Sequence, residues 1–200
     1  MSVGTEQFTY AVADSGTLLR LIAGGPDAAL SAEFFDNPEF KDVSMVVLNG
    51  FDTPDLAQLW SVADRVGAIL LYRCTLTGET LAALGQLRAL TGFVIRECRF
   101  MGETTDDFPV DLSGLHQLNL KSFSWLKTPG VPDVAFLSRK PNLSVLQLED
   151  APWCTDAIID EILAGHPEPL ALKLVRTSVT TGWRDRYQSA HPQANIEFAV

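Results

Sequence analysis

The sequence predicts an α/β fold in which short parallel strands return at a near-constant interval and are joined by helical or irregular legs. An apolar pattern, L-x-x-L-x-L-x-x-(N/C), recurs along most of the chain, and helix-start signals stand between several of its copies. Composition agrees. With 200 residues, 46% hydrophobic and 20% charged, the chain has the balance of one globular domain, not of a disordered segment.

The first 42 residues do not follow the pattern and are expected to cover the first repeat, because an exposed end of a stack needs a cap. Within them Phe8–Val12 predicts a strand. Thr17–Ala23 predicts a helix stopping at Gly24-Gly25-Pro26, and Ala28–Phe35 a second short one. The pattern then runs Val43-x-x-Val46-x-Leu48-x-x-Phe51, Val66-x-x-Ile69-x-Leu71-x-x-Cys74 and Leu90-x-x-Phe93-x-Ile95-x-x-Cys98. It continues as Leu115-x-x-Leu118-x-Leu120-x-x-Phe123 and Leu143-x-x-Leu146-x-Leu148-x-x-Ala151. Leu172-x-Leu174-x-x-Thr177 and Ile196-x-Phe198 close it. The central pair in each copy alternates with period two, as a strand with one buried face requires. No single copy can bury its apolar residues alone, so neighbours must stack.

The return legs carry start signals. Thr53-Pro54 reads as a cap and first-turn proline before Asp55–Trp60. Thr77 is placed to cap Gly78–Leu87, and Thr155 to cap Asp156–Ala164, with Gly165 in the position that often ends a helix. Thr180 or Thr181 starts a last helix bearing Trp183 and Tyr187. The leg 127–142 is rich in proline and leaves room for a short helix near Asp133–Arg139. The leg 101–113 is irregular and acidic, with Glu103, Asp106, Asp107 and Asp111. It reads as a solvated loop; a cation site is the alternative, but the spacing matches no calcium loop.

These repeats resemble the leucine-rich repeat family, of the cysteine-containing type found in ribonuclease inhibitors and many small bacterial repeat proteins. The closing Leu174-Val-Arg-Thr-Ser-Val-Thr-Thr-Gly-Trp stretch resembles the "T-x-V-T-x-x-G" repeats of bacterial members. The resemblance spans about Val43 to Phe198. It implies a solenoid over residues 43–200 with a capping segment over 1–42. Its curved parallel sheet would line the concave face, with helices and irregular segments on the convex face. In that family the N/C position points inward and satisfies turn backbone groups. Cys74, Cys98 and Thr177 can do so; Phe51, Phe123 and Ala151 cannot, and aromatic packing is expected to replace part of that ladder.

Fifteen Lys and Arg against 25 Asp and Glu leave a net charge of −10. That excludes the basic character on which nucleic-acid and anionic-lipid binding depend. No run of eighteen apolar residues predicts a membrane span, and no secretory signal is evident, so a cytoplasmic location is expected. Cys74, Cys98 and Cys154 are odd in number and show no CxxC spacing, which argues against a disulfide framework or a cysteine-rich metal site. Phosphate-cradling and metalloprotease motifs are absent. No cofactor and no catalytic residue is expected. The competing reading is a hydrolase using Cys154, or an enzyme with a metal in the acidic loop.

What remains is a surface. Strand positions between the core residues face the concave side in the repeat family. They read Met45, Val47, Asn49; Ala68, Leu70, Tyr72; Gly92, Val94, Arg96; Gln117, Asn119, Lys121; Val145, Gln147, Glu149; and Ala171, Lys173, Val175. The middle position is apolar at Val47, Leu70 and Val94 and polar afterwards. Val47, Leu70, Tyr72, Val94, Arg96 and Lys121 are therefore the expected contact residues for a protein partner. The expected role is a non-catalytic interaction module, an inhibitor or immunity-type protein or else a scaffold subunit.

Overall fold

A computed structural model describes residues 8–12, 18–23, 43–103 and 108–200. Its main element is a nine-stranded sheet in the order β1-β2-β3-β4-β6-β9-β11-β12-β13. The strands are β1 (Phe8–Val12), β2 (Leu18–Ala23), β3 (Val43–Asn49), β4 (Ala68–Tyr72) and β6 (Gly92–Arg96), then β9 (Ser122–Leu126), β11 (Val145–Thr155), β12 (Ala171–Ser178) and β13 (Ile196–Ala199). From β2 to β13 every neighbouring pair runs parallel. Two small parallel pairs follow the main strands, β5 (Thr75–Leu76) with β7 (Arg99–Phe100), and β8 (Pro109–Val110) with β10 (Val131–Pro132).

Apolar alternation explains the sheet. Val46, Leu48, Ile69, Leu71, Phe93, Ile95, Phe123, Trp125, Leu146, Leu148, Leu172 and Leu174 are all buried and belong to one core cluster. The return legs pack on that same face. Among the described residues they are three helices, α1 (Gly78–Ala82), α2 (Asp156–Leu163) and α3 (Thr181–Ala190), and 3-10 segments at Leu56–Val62, Ala83–Gln86, Ser113–Leu115 and Ala135–Arg139. Thr77, Thr155 and Thr180 cap the three helices as their positions predict; Thr77 and Thr80 form a reciprocal capping box.

Three expectations are corrected. Leu18–Ala23 is a strand, not a helix, because hydrogen bonds to β1 on one edge and β3 on the other outweigh a short helical pattern. The cap before Trp60 is Asp55, whose carboxylate accepts from the Ala57 amide; Thr53 is instead left-handed. The fourth copy of the pattern is displaced by five residues. In the sheet, Phe93 and Ile95 pair with Phe123 and Trp125, and these pair with Leu146 and Leu148. The copy therefore reads Leu120-x-x-Phe123-x-Trp125-x-x-Thr128. Its strand begins where the amides of Lys121 and Ser122 both donate to the Thr91 carbonyl. Phe123 is thus a core strand residue and not the turn residue expected of it. The expected helix over 28–35, and all of the 1–42 capping segment except β1 and β2, lie outside the described residues.

The displaced frame completes the ladder at the turns. The Cys74 and Cys98 thiols donate to the Leu48 and Leu71 carbonyls. Buried Thr128 accepts from the Cys98 amide at 3.2 Å and donates to the Leu126 carbonyl. Hydroxyl and thiol thus do in three successive copies what an asparagine would do, and aromatic replacement is confined to Phe51 among the aligned positions. Lys140 secures the segment before β9: its buried ammonium donates to the carbonyls of His116 and Leu118, and desolvation lowers its pKa.

Candidate functional site

The face of the sheet opposite the core carries three columns of side chains. The middle column, fixed by strand register, is Val47, Leu70, Val94, Ser124, Gln147, Lys173 and Glu197. The column nearest the strand ends is Asn49, Tyr72, Arg96, Leu126, Glu149 and Val175. Five of the six predicted contact residues, Val47, Leu70, Tyr72, Val94 and Arg96, therefore lie together on β3, β4 and β6. Val47 is buried, Leu70, Tyr72 and Val94 are half-buried, and Arg96 is exposed. Lys121 does not join them. It precedes β9, and the place expected for it is taken by Leu126. Ser124, which replaces Asn119 in the middle column, donates to Gln147 at 3.3 Å.

Immediately beyond this face the chain makes the same turn after β3, β4, β6, β9, Glu149 and Val175. Gly50, Arg73, Glu97, Lys127, Asp150 and Arg176 all have positive φ. Only glycine adopts this conformation without cost; elsewhere it costs about 1 kcal/mol or more per residue. The turn is held by continued strand pairing: the Gly50, Arg73, Glu97 and Lys127 amides donate to the Tyr72, Arg96, Leu126 and Glu149 carbonyls. After Gly50 the column alternates in sign, and its side chains pair with one another or with Glu149 of the adjacent column. Arg73 meets Glu97 at 2.9 Å and Lys127 meets Glu149 at 3.4 Å. Arg176 meets Glu149 at 2.7 Å and also binds Asp150. Sequence reasoning missed this column, although its residues stand directly before the N/C position of each copy.

The Arg73 side chain holds the Glu97 carboxyl below its usual range, and Arg176 does the same for Asp150. A carboxyl lowered on folding adds stability above its unfolded pKa and loses it as pH falls. Thermal stability at low salt should therefore be level above about pH 5 and decline through about pH 4 and below. The Glu97→Gln/Asp150→Asn double variant should make that acid limb shallower, while Asp111 and Asp156, lowered by hydrogen bonds from Ser113 and Thr180, keep their share of it. An acid limb identical to that of the unsubstituted protein would show that the column contributes nothing.

Beside the column, Lys127, Thr128, Pro129, Asp150, Trp153 and Arg176 line a cleft of about 460 Å³. Its two cations are already matched by Glu149 and Asp150. The thiol considered as a nucleophile, Cys154, is fully buried, and burial, with Asp156 nearby, pushes it up to about 12. A thiol in that state stays protonated and is a poor nucleophile. In the acidic leg, Asp111 accepts from the amide and hydroxyl of Ser113, while Asp106 and Asp107 lie outside the described residues. Among the described residues no three His, Cys, Asp or Glu side chains gather as a metal-ligand set. Compared with known proteins, the chain matches no family model and no curated protein.

Proposed function

We propose that the chain is a leucine-rich-repeat-type solenoid, located in the cytoplasm, that performs no catalysis and binds another protein on the open face of its sheet. The observation that carries this reading is the pair Leu70 and Val94, half-buried apolar side chains in register on the face away from the core, beside the buried Val47. Apolar surface beside an exposed arginine and a tyrosine has the composition of a protein-binding patch. One strand per 23 to 30 residues, each beside its sequence neighbour, supports the solenoid. The net charge of −10 disfavours a nucleic-acid or anionic-lipid partner. No helix among the described residues is long and apolar enough to cross a membrane. The role this suits is occlusion of a partner's surface, as by an inhibitor or immunity-type protein. A scaffold subunit would need a second surface, and the cleft at Trp153 supplies a place for one.

The test is the Leu70→Gln/Val94→Gln variant against the partner that co-purifies with the tagged protein. Its affinity should fall by about 2 kcal/mol, roughly thirtyfold, with little change in melting temperature. Unchanged affinity would assign binding to another surface.

A further inference from the structure

The open face is not uniformly charged, and the place where its charge is unbalanced is specific. Arg73 and Arg96 both lie against the Tyr72 ring, with guanidinium carbons 4.7 and 5.8 Å from its centroid. Both also turn their Nε toward one carboxylate, Glu97, at 2.9 and 3.4 Å. Among the described residues Glu97 is the only carboxylate paired with either of them. Two guanidinium groups thus share one counter-charge, and their terminal nitrogens have no acceptor among the described residues. Farther along, the turn column and its neighbour match charges two against two, Lys127 and Arg176 against Glu149 and Asp150. Among the described residues, the local excess of one positive charge therefore sits at β4 and β6, in a chain whose net charge is −10.

We infer that Arg73, Arg96 and Tyr72 anchor a carboxylate side chain of the partner. The segment that docks is then acidic, with aliphatic neighbours lying across Leu70 and Val94. This rests on the binding reading above and names the chemistry of the partner. An arginine pair pre-ordered on an aromatic ring presents planar donor forks that match a carboxylate, and the ring lowers the entropy cost of holding them. One carboxylate neutralises the excess of one; a doubly charged phosphate group would overshoot it. The long-range field of the chain would favour a basic partner, but at this face a basic group would meet the two guanidinium groups first.

The experiment is an NMR titration of the full chain with the blocked tripeptide Leu-Glu-Leu, with Leu-Gln-Leu and Leu-Lys-Leu as controls and inorganic phosphate as a separate arm. At low salt the glutamate peptide should bind about tenfold more tightly than the glutamine peptide. It should move the Nε–H signals of Arg73 and Arg96 together with the Leu70 and Val94 methyl signals. In the Arg73→Gln/Arg96→Gln variant the tenfold preference should vanish while the methyl shifts persist. Equal affinity for the three peptides, with methyl shifts alone, would overturn the acidic anchor and leave the binding face standing. Phosphate moving the arginine signals as strongly as the glutamate peptide would assign the pair to small anions and overturn it as well. No saturable shift at millimolar peptide would overturn both readings.

Discussion

Replacing Trp125 by alanine is expected to lower the unfolding free energy by about 4 kcal/mol. That is a large share of the roughly 5–15 kcal/mol by which domains of this size are stable. Trp125 is fully buried at the centre of the sheet, and no other fully buried side chain is larger. Its indole N–H donates to the Thr128 carbonyl at 2.7 Å, and its ring stacks on Phe100 at 6.2 Å. Alanine removes the ring volume and leaves that carbonyl without its donor. Trp125→Phe keeps most of the volume and should cost about half as much, the remainder being the unpaired carbonyl. Because β9 pairs only with β6 and β11, hydrogen-exchange protection should fall first in those three strands and last in β13. Urea unfolding measures the total; a loss below about 1 kcal/mol would mean that Trp125 is not the core strand residue its register makes it.

Residues 115–125 also show why hydrophobic spacing admits two frames for the fourth copy. Leu115, Leu118 and Leu120 satisfy the apolar spacing, and all three are buried. Hydrophobic periodicity therefore accepts either frame. The structure decides by pairing, since only Ser122–Leu126 continues the sheet between β6 and β11. A second sequence signal could have decided it. With Trp125 in the strand, the residue two places beyond is Lys127, and the turn column reads Arg73, Glu97, Lys127, Asp150, Arg176 with strict alternation of sign. The other frame puts Ser122 there and breaks the alternation. Like charges one strand apart, about 4.8 Å, would repel, so the alternation reports register. The core positions and the three threonine caps were legible because each depends on local spacing. β1 was legible as a strand, but β2 was not, because Leu18–Ala23 satisfies a helical pattern, and only its two flanking strands give it extended backbone partners. Of the candidate site, the shared face of Val47, Leu70, Tyr72, Val94 and Arg96 on β3, β4 and β6 could be read from alternation alone. Arg73 keeps the period of the repeat, two residues after the last core residue of its strand, but hydrophobic alternation alone gives a polar turn position no role.

Gly165→Ala is expected to destabilise the protein by about 3 kcal/mol, for a reason other than the left-handed backbone usual for a glycine at a helix end. The sequence suggests that Gly165 is there for a left-handed turn after α2. The residues with positive φ do not include it. Its reason is proximity: a Cβ built on Gly165 would overlap the Ser138 carbonyl oxygen and lie 3.2 Å from the Ser138 Cα. Both obstacles are backbone, in the 3-10 segment Ala135–Arg139, which cannot swing aside as a flexible side chain could. His166, the next residue, pins the same approach through its Nε2, 3.0 Å from the Leu137 carbonyl. Alanine must therefore push α2 off this segment and loosen Ile159 and Ile162 from the core beneath. Gly182 supplies the control. It is in the first turn of α3, and a Cβ there would meet only the Thr180 hydroxyl oxygen at 3.8 Å, an ordinary contact. Gly182→Ala should stabilise by about 0.5–1 kcal/mol through the reduced entropy of the unfolded chain. Urea midpoints of the two variants should thus move in opposite directions. A neutral or stabilising Gly165→Ala would mean that α2 does not approach Ser138 so closely, and that the packing of the return legs is looser than that of the sheet they cover.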